Sequence, residues 1–258
     1  MTTPTPVFSA PPSQPEPAWR RKWRQAQRGP WVTWALLILT VAVYSLQLLS
    51  QAWLGNDYPA LLGLKWGPAI VHGEWWRLIT PLFLHGNLLH IGFNMYALYV
   101  LGPGLERMMG HGPFALLYFL SGYTGMAVSF AMDPSPSLGA STAIFGLIGA
   151  YIVIYAQNRE AFGPVAGMYL RNAVMLALVN LAFGAVVPQI DNWGHVGGLL
   201  GGMALTAFGG PRYEAGFSLL TAQRVLRNTQ TWPRTLAAAA GVALVFALFL
   251  VAGWPKYL

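Results

Sequence analysis

Seven apolar stretches, separated by shorter polar or proline-broken segments, organise this sequence. They run at about 31–54, 81–101, 113–131, 141–156, 172–187, 193–208 and 236–252. Several approach or exceed the roughly 18–20 residues that carry a helix across a bilayer. The pattern predicts an all-α polytopic membrane protein. Between the first two stretches lies a long, partly apolar connection, 55–80, whose Trp66, Trp75 and Trp76 suit a segment lying in the membrane interface. The run Met132-Asp133-Pro134-Ser135-Pro136-Ser137 contains two prolines and stops the third helix. Four regions are expected: a tail at 1–30, a six-span core at 31–208, a polar connector at 209–233 and a seventh helix at 234–258. None of the connecting segments carries the apolar periodicity of a separate soluble domain.

Composition strengthens the membrane reading. Of 258 residues, 55% are hydrophobic and 9% charged, against about 25% charged in an ordinary soluble domain. The net charge of +7 raises the question of nucleic acid, and the distribution of that charge answers it. With a cytoplasmic N-terminus, twelve Lys and Arg fall on the inside: Arg20, Arg21, Lys22, Arg24, Arg28, Arg107, Arg159, Arg171, Arg212, Arg224, Arg227 and Arg234. Three fall outside: Lys65, Arg77 and Lys256. This asymmetry is the positive-inside pattern, and no nucleic-acid partner is expected. The stretch from Trp19 to Arg28 interleaves tryptophan with basic residues and is expected to lie on anionic headgroups. Ahead of it, 1–17 lacks the apolar core of a secretory signal and reads as a disordered tail, so the first span is expected to drive insertion. The absence of cysteine removes thiolate catalysis and cysteine metal sites.

Polar groups inside apolar stretches are costly and point to function. The second stretch carries His85, His90 and Asn94, and the sixth carries His195. His90 and Asn94, four apart, share a helix face. The bland alternative is that these groups satisfy one another between packed helices. A metal or proton carrier would need acidic residues mid-span, and none is there, so no metal or cofactor is expected. Ser141 opens the fourth stretch in Gly139-Ala140-Ser141, where free N–H groups of a helix N-terminus can stabilise an oxyanion. In the sixth, Gly198 and Gly202 form a face that permits close helix approach, with His195 one turn earlier. Spans four and six both run from outside to inside, so Ser141 and His195 share the outer half of the membrane, as does His90.

These residues resemble those of the rhomboid intramembrane serine proteases. The likeness rests on Glu74-Trp75-Trp76-Arg77-Leu78, on His85 with His90 and Asn94, on Glu106-Arg107, on Gly139-Ala140-Ser141 and on His195 with Gly198 and Gly202, in that order over about 73–202. The resemblance implies a six-helix rhomboid-like core with a seventh helix added. It implies a serine endopeptidase that cleaves transmembrane protein substrates near their external ends, with Ser141 as nucleophile and His195 as base. His90 and Asn94 would join the Ser141 N–H in an oxyanion hole, His85 would help hold water, and Phe145 would pack against the imidazole. Trp76, Arg77, Glu106 and Arg107 would be structural. No triad aspartate is expected, because Asp191 precedes the sixth helix and is expected to face the aqueous loop. One departure is Thr142, where family members often carry Gly, and its branched Cβ is expected to crowd incoming substrate and tune specificity. The alternative is a catalytically inactive relative that binds transmembrane clients. A bacterial plasma membrane is the expected location, with the active site on the external side.

Overall fold

Each apolar stretch becomes a helix in the computed structural model, which describes residues 29–218 and 223–258. The seven long helices are α1 (Trp31–Leu54), α2 (Leu88–Met109), α3 (His111–Met132), α4 (Ser141–Gln157), α5 (Pro164–Val186), α6 (Asn192–Gly209) and α7 (Trp232–Gly253). The protein is an all-α, multi-pass integral membrane protein. By length and composition α1, α2, α3, α5 and α7 can each cross a bilayer. The helix α4 has only 17 residues, and α6 is diluted by Gly, Asn and His. Both are largely enclosed by protein, and a helix shielded from lipid need not be uniformly apolar.

The structure departs from the sequence expectation in several places, among them the end of the second span, which runs on to Met109 and takes in Glu106 and Arg107. The second span begins at Leu88, not residue 81, because 80–83 form a 3₁₀ turn and the Asn87 side chain caps α2 by accepting from the His90 N–H. His85 therefore lies on the loop before α2 and not on the helix. The fifth span begins at Pro164, eight residues earlier than its apolar run, since Gly163 at φ 63° and Pro164 set the boundary regardless of the charge on Arg171. The connector after α6 contains a two-stranded antiparallel hairpin, β1 (Tyr213–Ser218) and β2 (Gln223–Asn228), which the polar sequence did not announce. The basic tail at 1–28 lies outside the described residues.

Glycines set how the helices pack. A Cβ on Gly198 would stand 2.0 Å from the Thr142 carbonyl oxygen of α4, and one on Gly202 would stand 2.2 Å from that of Gly146. On the neighbouring edge of α6, Gly197 and Gly201 meet Thr124 and Val128 of α3 in the same manner. Thus α6 is wedged between α3 and α4 with backbone almost touching backbone. The helix α7 lies against α3 and α6, and α1 against α2. By contrast, α5 packs on α4 through a thin stripe, its buried residues among those described being Ala166, Ala177 and Gly184.

Two charged residues tie the periphery together. The buried Glu106 carboxylate accepts from the Val32 and Thr33 N–H groups and the Thr33 hydroxyl, so it caps α1 from α2. Arg77 is buried in the first loop, where it pairs with Glu74 and donates to the Leu61 and Leu64 carbonyls. Both are structural, as the sequence suggested. The loop is further braced by a 3₁₀ turn after α7, where Trp254 stacks on Trp75 and the Tyr257 hydroxyl donates to the Phe130 carbonyl.

Candidate active site

The start of α4 is shaped by Gly139. Its φ of +132° belongs to glycine alone, and a Cβ there would come within 2.8 Å of the His90 ring. Its N–H donates to the Pro81 carbonyl. Ala140 precedes the helix and offers no side-chain cap, so the first N–H groups of α4, beginning at Ser141, are free of intrahelical partners. The half-buried Ser141 hydroxyl sits beside them.

The start of α6 is capped by Asp191, whose carboxylate accepts from the Gly194 N–H at 2.8 Å while its carbonyl accepts from the His195 N–H at 3.1 Å. This geometry turns His195 toward α4. Its Nε2 lies 2.9 Å from the Ser141 Oγ, and its ring stacks on Phe145 at a centroid separation of 4.2 Å and 14° between planes. The imidazole is 7% exposed, and its Nδ1 has no protein hydrogen-bond partner among the described residues. Asp191 therefore does not complete a triad. Nor does it face the aqueous loop, as the sequence suggested: its second oxygen accepts from the Ser129 hydroxyl.

The remaining polar residues gather on the same side. His90, in the first turn of α2, lies against Gly139 and meets the His85 ring edge-on at 5.0 Å. Asn94 follows one turn later, buried, with its Nδ2 unpartnered among the described residues. His85 is held from α1, where the Gln47 amide accepts from its N–H and donates to its carbonyl. Its Nε2 lies 3.4 Å from the Ala140 nitrogen, a long contact. A serine hydroxyl, an adjoining imidazole, free helix N–H groups and the His90 ring thus lie close together, with Asn94 one turn further along α2. Chemically, this set can activate a nucleophile and stabilise a developing oxyanion. Among the described residues no group of three His, Asp or Glu side chains could hold a metal ion.

Thr142 departs from its expected role. It is 1% exposed, and its side chain packs against Gly125 of α3 and Gly194 of α6. One residue along a helix is a rotation of about 100°, so Thr142 points into the core while Ser141 points into the site. Its Cβ cannot crowd a substrate. Sequence reasoning also passed over Lys65, counted there as an exterior loop charge, which the structure buries completely.

Known proteins resemble this chain over the region that holds these residues. A family model described as "Rhomboid domain" matches residues 72–212, which includes every residue of the site. Rhomboid protease GluP of Bacillus subtilis (strain 168) is 40% identical over 195 residues, covering 75% of this chain and 38% of that protein. The chloroplastic RHOMBOID-like protein 9 of Arabidopsis thaliana is 34% identical over 161 residues, or 61% of this chain and 36% of that one. Rhomboid-like protease 3 of Toxoplasma gondii is 34% identical over 185 residues, or 69% and 67%. The chain thus spans well under half of the first two relatives.

Proposed function

The chain belongs to the rhomboid family, and on that premise we propose that it is an intramembrane serine endopeptidase working through Ser141 and His195. The observation that carries the reading is the 2.9 Å approach of His195 Nε2 to Ser141 Oγ. In the neutral tautomer with Nδ1 protonated, the hydroxyl donates to Nε2. As Oγ attacks the scissile carbonyl carbon, Nε2 takes its proton and the carbonyl oxygen becomes an oxyanion. The imidazolium then protonates the departing amine, leaving an ester on Ser141. Water, deprotonated by the same nitrogen, hydrolyses that ester and restores the hydroxyl. Phe145 holds the ring in the plane this requires, which substitutes for a carboxylate orienter.

The Ser141 N–H, Asn94 and His90 serve as oxyanion donors. The unpartnered Asn94 amide supports this, because a buried donor without a partner is costly unless a ligand or reaction state uses it. Asn94→Ala is expected to lower kcat about 10²- to 10³-fold with little change in KM, read from steady-state cleavage of a reconstituted transmembrane substrate. His85, beside His90, orders water at the same site.

The substrates are transmembrane proteins cut near the outer face, with the core at 31–208 and the N-terminus cytoplasmic. The charge distribution supports that orientation, and a bacterial plasma membrane fits it. The decisive experiment is labelling of detergent-purified protein with a fluorophosphonate. Stoichiometric modification mapped to Ser141 is the expected result. A folded preparation that cleaves substrate yet never labels at Ser141 would overturn the reading, and a folded preparation inert in both assays would favour a non-catalytic client binder.

A further inference from the structure

Lys65 is the most improbable residue in this protein. It sits in the first loop between the short helices Tyr58–Gly63 and Gly67–Val71, and its side chain is wholly buried. Removing an ammonium from water costs several kcal/mol unless its protons are all engaged. Its Nζ donates to the Ser129 hydroxyl and to the Asp133 carbonyl, both at 2.8 Å. Burial pushes its pKa below the ordinary lysine value, while the Asp191 and Asp133 carboxylates pull it back up.

The partners of Lys65 lead to both halves of the active site. Through its side chain, Ser129 is engaged, and the Ser129 hydroxyl donates to Asp191. Asp191 caps α6 at Gly194, directly ahead of His195. Through its backbone, Lys65 exchanges two hydrogen bonds with Ser137, at 2.8 and 3.1 Å. Ser137 lies two residues before Gly139, where the chain turns to present Ser141. One residue of the first loop therefore holds the approach to the nucleophile with its main chain and the approach to the base with its side chain.

We propose that Lys65, acting through Ser129 and Asp191, is a positioning residue that fixes the separation of Ser141 and His195. The proposal rests on the protease reading, since it is the reactive geometry of that pair that Lys65 sets. A lysine that only anchored the loop would need its backbone pairing and the Asp133 carbonyl. It would not need the arm through Ser129, which reaches the cap of another helix. The whole pathway lies away from the reacting atoms, so its loss should slow chemistry and leave substrate binding alone. A displacement on the order of 1 Å in a reacting pair costs about a hundredfold in rate.

The test uses the full chain in proteoliposomes, with Lys65→Met and Ser129→Ala compared to wild type. Ser129→Ala breaks the arm yet leaves Lys65 its Asp133 partner, and it serves alone if Lys65→Met fails to fold. Cleavage is measured per mole of folded protein, with thermal unfolding recorded in parallel. The expected result is a 10- to 100-fold fall in kcat with KM within about twofold of wild type. Adding Asp191→Asn to Ser129→Ala should lower kcat little further, because the two act in one chain. A variant with a lower Tm but wild-type kcat per folded molecule overturns the proposal and leaves Lys65 a loop anchor. Should wild type itself prove inert, the protease reading fails by itself. The crystallographic Oγ–Nε2 separation in Ser129→Ala then decides the network, an increase supporting it and an unchanged 2.9 Å overturning it.

Discussion

Ser141→Ala is expected to lower cleavage of a reconstituted transmembrane substrate by at least about 10⁴-fold, to the limit of detection, with no loss of folded protein. The magnitude follows from how serine hydrolases fail: removing the nucleophile leaves only the oxyanion donors and binding, and these alone retain a small part of the acceleration. Stability should hold because Ser141 is half-buried and its hydroxyl is bonded to His195 alone among the described residues. His195 loses that bond, but its ring stays stacked on Phe145. Cleavage assayed by gel shift, beside the thermal midpoint in detergent, separates the two effects. Residual activity above about 1% of wild type would mean that another residue attacks the peptide bond.

Gly198→Val is expected to disable the protein by a different route. A Cβ at this position falls 2.0 Å from the Thr142 carbonyl oxygen, and the obstacle is backbone, which cannot swing aside as a side chain would. The helices α4 and α6 must then separate, and overpacking of this kind typically costs about 1–3 kcal/mol and occasionally more. Since the proposed catalytic pair is split between those two helices, separation also draws Nε2 beyond hydrogen-bonding reach of Oγ. The expected outcome is a lowered thermal midpoint together with loss of fluorophosphonate labelling in whatever protein remains folded. A Gly198→Val protein that labels at the wild-type rate would show that α6 can shift without moving His195.

Much of this was legible in the sequence because the site breaks the rules of its surroundings. Histidines, an asparagine and a serine at fixed depth in apolar stretches are conspicuous, and Gly198 with Gly202 announced a close helix contact. The charge asymmetry is the ground on which the cytoplasmic N-terminus is proposed. What was not legible depended on tertiary placement. The apolar run continues smoothly through Pro81 and Leu84, so hydropathy could not reveal that the helix waits for the Asn87 cap and leaves His85 on a loop. Arg171 interrupts an apolar run but not a helix, whose backbone bonds are indifferent to a charge at the interface. Thr142 was judged by its nearness to Ser141 in sequence, although a helix sends adjacent residues in different directions. Lys65 and Asp191 look like ordinary loop charges, and only the fold reveals that Lys65 is buried and that Ser129 joins the two.

The thin contact stripe of α5 has a bearing on traffic. On the protease proposal, a substrate helix would reach the site sideways, through lipid, and would cross the ring of helices. Around α6, Gly198 and Gly202 set backbone against the backbone of α4, and Gly197 and Gly201 close on Thr124 and Val128 of α3. The wall formed by α5 buries Ala166, Ala177 and Gly184, and it is joined to α4 by the stack of Tyr169 on Tyr155 and to the start of α6 by the Asn192 amide, which donates to the Leu181 carbonyl. For a visitor arriving through the membrane, that seam has less interlocked backbone to undo than the joints of α6.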